Sequence, residues 1–181
     1  MDPADGAGLE GTSIALDSQG RPHIAYFDTD LNALRYARWT GTTWVLTTVD
    51  IPSNGSVSSR KLTLRLDQSD RPHIGYCANG DVWYAAWTGL TWKKQLVDPE
   101  SDCELGMVLD AAGNPHFSYW VWWSDDLTYA HWTGTEWAYE DIEGETIGSW
   151  WESTIALTPG GEVVVAYMDG DLWQMRFARR E

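Results

Sequence analysis

The chain has 181 residues, 43% of them hydrophobic, with 27 acidic against 12 basic side chains and a net charge of −15 at pH 7. The length and apolar content suit one domain with its own core, whereas the charge excludes general binding to nucleic-acid phosphates and disfavours an anionic membrane surface. No apolar run approaches the roughly 18 residues of a spanning helix, and Met1-Asp2-Pro3-Ala4-Asp5 does not read as a signal peptide.

From the N-terminus, Met1–Gly11 is rich in Gly and Asp and reads as a linker. Four strands are then expected near 12–17, 22–28, 33–39 and 43–50, in runs of β-branched and aromatic residues without helical periodicity. The first turn is Ser18-Gln19-Gly20-Arg21, followed by Pro22 at a strand start, where a missing N–H costs least. Thr40-Gly41-Thr42 makes the third turn. The stretch around Asp17, Pro22-His23-Ile24 and Tyr26 returns at Asp67, Pro72-His73-Ile74 and Tyr76. It returns again at Asp110, Pro115-His116-Phe117 and Tyr119, and in worn form from Ile155 to Asp169. The anchors Asp17, Asp67, Asp110 and Thr158 are 50, 43 and 48 residues apart. A second motif, Tyr36-Ala37-Arg38-Trp39 through Trp44, recurs at Tyr84–Trp92 and Tyr129–Trp137. Asn79-Gly80 and Asp169-Gly170 are dipeptides suited to two-residue hairpins. Cys77 and Cys103 show neither a metal spacing nor a disulfide framework.

Four antiparallel strands per repeat of about 45 residues is the period of a β-propeller blade. The all-β fold expected is therefore a β-propeller of four blades, near 12–50, 61–98, 105–142 and 153–181. Each sheet must cover its faces with the next. Trp39, Trp87 and Trp132 stand two residues after Ala37, Ala85 and Ala130, placing large beside small on one face. Gly170-Asp171-Leu172-Trp173 aligns with Gly80-Asp81-Val82-Trp83, which puts Phe177 where Trp87 stands. The last blade thus lacks its outer strand. Either four blades close alone or the chain contributes to a larger ring; unpaired strand edges favour closure of some kind.

The Pro-His-Ile-x-Tyr strand followed by Tyr-Ala-x-Trp-x-Gly-x-x-Trp resembles the tryptophan-rich propeller repeats of bacterial secreted proteins, grouped loosely with sialidase-like repeats and propeller lectins. The resemblance covers residues 12–181. It implies a propeller fold and, together with the acidity, an extracellular or cell-surface location. Members include sugar-binding lectins, polysaccharide lyases and glycosidases. The sialidase Asp-box is absent: Leu16-Asp17-Ser18-Gln19-Gly20 occupies a similar turn without its tryptophan.

Residues that recur in every blade serve the blade. This covers His23, His73 and His116, read as packing histidines because metal ligands must converge on one ion; it also covers Asp17, Asp67 and Asp110, read as turn caps. Aromatics out of step with the repeat remain. Trp122 and Trp123 fall in the second-to-third-strand loop of the third unit, and Trp150 and Trp151 in the connection to the fourth. Trp83 and Trp173 stand at the start of third strands. In a meander, these loops share one face of the ring. With Asp125, Asp126 and Glu152 nearby, the six tryptophans form the expected ligand-binding set. Indole stacks on the C–H faces of a pyranose while carboxylates accept its hydroxyl hydrogen bonds. Packing beneath the loops is the alternative.

The sequence holds no catalytic set, metal site or cofactor motif; Asp28-x-Asp30 and Asp169-x-Asp171 are too short to cage calcium. The expected function is a non-catalytic carbohydrate-binding, lectin-like module. The alternatives are a structural or protein-interaction propeller, with homo-oligomerisation open, and a glycan-cleaving hydrolase or lyase.

Overall fold

The computed structural model describes residues 7–52, 61–99, 104–121, 124, 126–143, 153–169 and 172–180. These residues form strands and turns, and no helix is long and apolar enough to cross a membrane. Blade 1 is β1 (Ala7–Leu16), β2 (Pro22–Asp28), β3 (Ala33–Trp39) and β4 (Trp44–Asp50). Blade 2 is β5 (Leu62–Leu66), β6 (Pro72–Ala78), β7 (Asp81–Trp87) and β8 (Trp92–Asp98). Blade 3 is β9 (Leu105–Leu109), β10 (Pro115–Val121), β11 (Asp126–Trp132) and β12 (Trp137–Glu143). Blade 4 has β13 (Ser153–Leu157), β14 (Val163–Asp169) and β15 (Gln174–Arg180). Each is an antiparallel meander, four-stranded in blades 1 to 3 and three-stranded in blade 4.

The turns explain the strand boundaries. Asp17 Oδ1 accepts the N–H groups of Gln19 (2.9 Å) and Arg21 (2.8 Å), and Asp67 and Asp110 do the same in their blades. This closes the chain just before the proline that opens the second strand. Thr158 substitutes its hydroxyl, accepting the N–H of Glu162 (3.1 Å).

Because side chains alternate, each blade has a face toward its predecessor and a face toward its successor. Three cores result. Ala25, Phe27 and Leu34 meet Leu64, Ile74 and Tyr76 between blades 1 and 2. Val82 and Tyr84 meet Met107, Phe117 and Tyr119 between blades 2 and 3. Leu127 and Tyr129 meet Ile155, Val163 and Val165 between blades 3 and 4. Across these interfaces, Tyr76 donates to Asp50 Oδ2 and Tyr119 to Asp98 Oδ2, both at 2.8 Å. The packing is tight enough to dictate residue size. A Cβ on Gly75 would stand 2.6 Å from a ring carbon of Phe117.

The inner strands pack in the series β1 with β5, β5 with β9, and β9 with β13. Among the described residues no fourth core joins blade 4 to blade 1. Among the described residues the outer faces of blade 1 and blade 4 stay uncovered, with Ile14 63%, Met175 73% and Phe177 74% exposed, so the four blades stack as an arc.

Three sequence expectations are corrected. β1 begins at Ala7, inside the stretch read as a linker; Ala7 pairs with Asp28 before the register shifts to Thr12 with Tyr26. In blade 4, Ala166 pairs with Phe177 and Tyr167 with Arg176, as Gly75 pairs with Tyr84 and Tyr76 with Trp83. Phe177 therefore matches Tyr84, not Trp87, and Arg176 matches Trp83. β14 ends at Asp169 and β15 begins at Gln174. Leu172 N–H donates to Asp169 Oδ1 as Leu31 N–H donates to Asp28 Oδ1, both at 3.0 Å. Finally, Cys77 is fully buried and disulfide-bonded, although the spacing of the cysteines offered no framework.

Candidate functional site

The meander places two kinds of connection on opposite faces of the arc. First-to-second and third-to-fourth turns lie on one, and the longer loops and blade connections on the other. Of the ligand-binding set expected on the loop-rich face, Trp122, Trp123, Trp150, Trp151, Asp125 and Glu152 lie outside the described residues. The other three stand in three different blades. Trp83 packs against the core between blades 1 and 2, its Nε1 buried without a hydrogen-bond partner. It pairs with Tyr76 on the face turned to blade 1. Trp173 is exposed, with a left-handed backbone (φ 54°) that bulky residues rarely adopt. Asp126 is half-buried at the head of β11, opposite Val121.

A groove of about 480 Å³ lies instead on the short-turn face, between blades 1 and 2. Its aromatic wall is Trp87 and Trp92, packed edge-on at 5.5 Å. Trp92 also meets Tyr36 of blade 1 edge-on at 5.3 Å. Its polar wall combines Arg21, His23, Arg38, Asp70 and Arg71. Asp70 is fixed across the blade boundary: the N–H and hydroxyl of Ser18 donate to its two carboxylate oxygens at 2.9 and 2.6 Å. Asp70 holds a left-handed backbone (φ 59°) where Gly20 and Gly113 stand in the neighbouring turns.

Beneath the groove runs a relay repeated in three blades. Tyr36 Oη and His23 Nδ1 are 2.5 Å apart, as are Tyr84 and His73; Tyr129 and His116 are 2.6 Å apart. Each histidine Nε2 faces the turn aspartate at 3.6 to 3.7 Å. Burial holds all three imidazoles below 6.5, against the pull of the aspartates. Burial likewise raises the tyrosine hydroxyls. A neutral imidazole has one acceptor nitrogen, so the protonated hydroxyl donates to Nδ1 and Nε2 keeps its proton. For Asp17, burial alone would raise the carboxyl. The N–H groups of Arg21 and Gln19 and the Arg21 guanidinium, whose Nε donates to Oδ2 at 2.6 Å, outweigh burial and hold it at about 2. The groove is thus lined by a fixed carboxylate, neutral rings and guanidinium donors. Such a surface can hydrogen-bond hydroxyl or carboxylate groups and stack a flat apolar face. Among the described residues no group of three or more His, Cys, Asp or Glu is placed to hold a metal ion.

Setting repeated residues aside as scaffold hides this groove, since Asp17, His23, Tyr36 and Trp92 all recur. The signal lies in breaks of the repeat: Arg38 where the register places Ala86 and His131, and Asp70 where its neighbours have glycine.

No protein-family profile and no curated protein matches the sequence. Solved structures are similar in fold. An exo-β-1,3-galactanase from Phanerochaete chrysosporium superposes with a TM-score of 0.56 at 13% identity, covering 93% of this chain and 44% of its own. A leech intramolecular trans-sialidase gives 0.53 at 13%, covering 93% and 30%. A fucose lectin from Kordia zhangzhouensis gives 0.48 at 18%, covering 75% and 100%. The chain spans less than half the length of the two enzymes. Identities this low establish the fold alone: the chain is a β-propeller.

Proposed function

We propose that the chain is a non-catalytic carbohydrate-binding module of an exported protein, with the groove between blades 1 and 2 as its binding site. The observation that carries this reading is the pairing of an indole wall, Trp87 and Trp92, with Arg38 and the immobilised Asp70 in one cleft. An aromatic surface takes the C–H face of a sugar ring, and the charged groups take its hydroxyls. The disulfide at Cys77 favours an oxidising compartment. The superposed galactanase was solved with β-1,3-galactotriose and the trans-sialidase with 2,7-anhydro-Neu5Ac, so the proposal carries to this chain a ligand class those proteins share. The exposed tryptophan on the opposite face, Trp173, is the second candidate contact.

We propose no catalytic role for the chain. The Tyr–His pair that a lyase would use is already bonded within each of three blades, so it belongs to the scaffold. Asp98 is a half-buried carboxyl raised above its ordinary value by desolvation, opposed by its bond from Tyr119 and aided by Asp81. It lies in the interface between blades 2 and 3, away from the groove.

A glycan array on the chain, followed by affinity electrophoresis with any hit, tests the proposal. Arg38→Ala removes an exposed groove side chain outside the three cores and is expected to weaken binding at least tenfold. Trp173→Ala leaves binding intact if the groove is the site. An array without hits, or equal binding by Arg38→Ala, contradicts it. Release of reducing ends or unsaturated uronates from a hit glycan would make the chain an enzyme.

A further inference from the structure

The two ends of the arc are built as the two halves of one more blade interface. At each internal junction the strand register repeats the same elements. On the face toward the successor stand an aromatic from the third strand and an apolar residue two positions before it. Tyr36, Tyr84 and Tyr129 fill the aromatic position and are 5%, 6% and 2% exposed. Phe177 fills it in blade 4 and is 74% exposed; Met175, at the position of Leu34, Val82 and Leu127, is 73% exposed. On the face toward the predecessor, Leu64, Met107 and Ile155 from the first strands are buried. Their equivalent in blade 1, Ile14, is 63% exposed, and Leu16 beside it is also exposed.

The missing halves fit each other in detail. Trp92 and Trp137, the first residues of outer strands, pack edge-on against Tyr36 and Tyr84 of the preceding blade at 5.3 and 6.0 Å. Trp44 is the same residue of blade 1, and its natural counterpart is Phe177 of another chain. Leu64 N–H donates to Ser13 Oγ of the preceding blade at 3.0 Å. The same register sets Ile14 N–H against Thr154 Oγ1. Ala25 faces Ile74 in the core between blades 1 and 2, and Ala166 with Ile24 reproduces that pair of sizes. Among the residues whose side chains are described, the strands of the two end faces carry no exposed acidic side chain; the nearest charges are Arg35 and Arg179, the latter paired with Glu162.

We propose that the covering partner is a second copy of this chain, joined head to tail, the free face of blade 4 of one copy packing on the free face of blade 1 of the next. Such a contact is heterologous: it uses two different surfaces, repeats from copy to copy, and ends only when a ring closes. It does not depend on the sugar-binding reading, because the groove lies wholly within one chain.

Light scattering coupled to size exclusion tests it. The 181-residue chain is expected to run at a defined multiple of 20.4 kDa. Ile14→Asp and Phe177→Asp alter exposed positions, and each variant alone is expected to run as a monomer with an unchanged circular-dichroism spectrum. Mixed in equal amounts, the two variants retain one intact head and one intact tail and form a dimer, whereas Ile14→Asp/Phe177→Asp with itself stays monomeric. A wild-type monomer at high concentration overturns the proposal, and that result needs no variant to fold. Assembly surviving Ile14→Asp or Phe177→Asp, or no dimer on mixing, also overturns it, the first pointing to like faces meeting.

Discussion

His23, His73 and His116 each accept a tyrosine hydroxyl while burial keeps them neutral, so the relay carries a pH dependence. Folded pKa values below the unfolded 6.5 mean that the unfolded chain binds these protons first. Stability is therefore full above pH 6.5 and declines as pH falls from there through the lower folded values. The turn aspartates, held below 3.8, withdraw their contribution only at more acid pH. Urea midpoints are expected to fall between pH 7.5 and 5.5, and His73→Gln flattens the slope; a flat wild-type profile contradicts the relay. Packing makes a sharper demand at Gly75. Its added methyl would meet Phe117 and Leu105. Gly75→Ala is expected to cost about 1–3 kcal/mol in denaturant unfolding, and an unchanged midpoint would mean the blades separate without penalty.

Among elements, the strands were legible and one register was not. Pro22, Pro72 and Pro115 start second strands because they need no ladder hydrogen bond there, and the turn aspartates fix where first strands stop. Blade 4 differs because Gly170-Asp171-Leu172-Trp173 imitates Gly80-Asp81-Val82-Trp83 in composition, whereas its third strand begins only at Gln174. The true register follows from burial: Tyr167, Val165 and Val163 face blade 3, and that leaves Phe177 opposite Ala166. The tryptophans that open β4, β8 and β12 are alike in sequence yet differ in burial of their surroundings. In the monomeric Phe177→Asp variant, Trp92→Ala is expected to cost about 3–5 kcal/mol because it empties a packed interface. Trp44→Ala costs clearly less there, because no blade covers it. Equal losses in chemical denaturation would contradict the open end.

For the whole molecule, duplication announced the propeller, but the proposed binding groove did not follow from it. Sequence reasoning looked for residues that departed from the repeat on the loop-rich face. Trp83 of that set is partly buried against the core between blades 1 and 2, because a third-strand position is turned toward the neighbouring blade whatever loop precedes it. The groove between blades 1 and 2 arises from repeated residues brought together by stacking, a relation between units that no single unit displays. Its Arg38 and Asp70 were the legible trace. The claim that this cleft binds a saccharide is tested most directly by a tryptophan-fluorescence titration of the monomeric Ile14→Asp/Phe177→Asp chain with an array-selected glycan. A saturable change that Arg38→Ala abolishes is the predicted result; a titration that stays flat, or one that Arg38→Ala leaves unaltered, would contradict it.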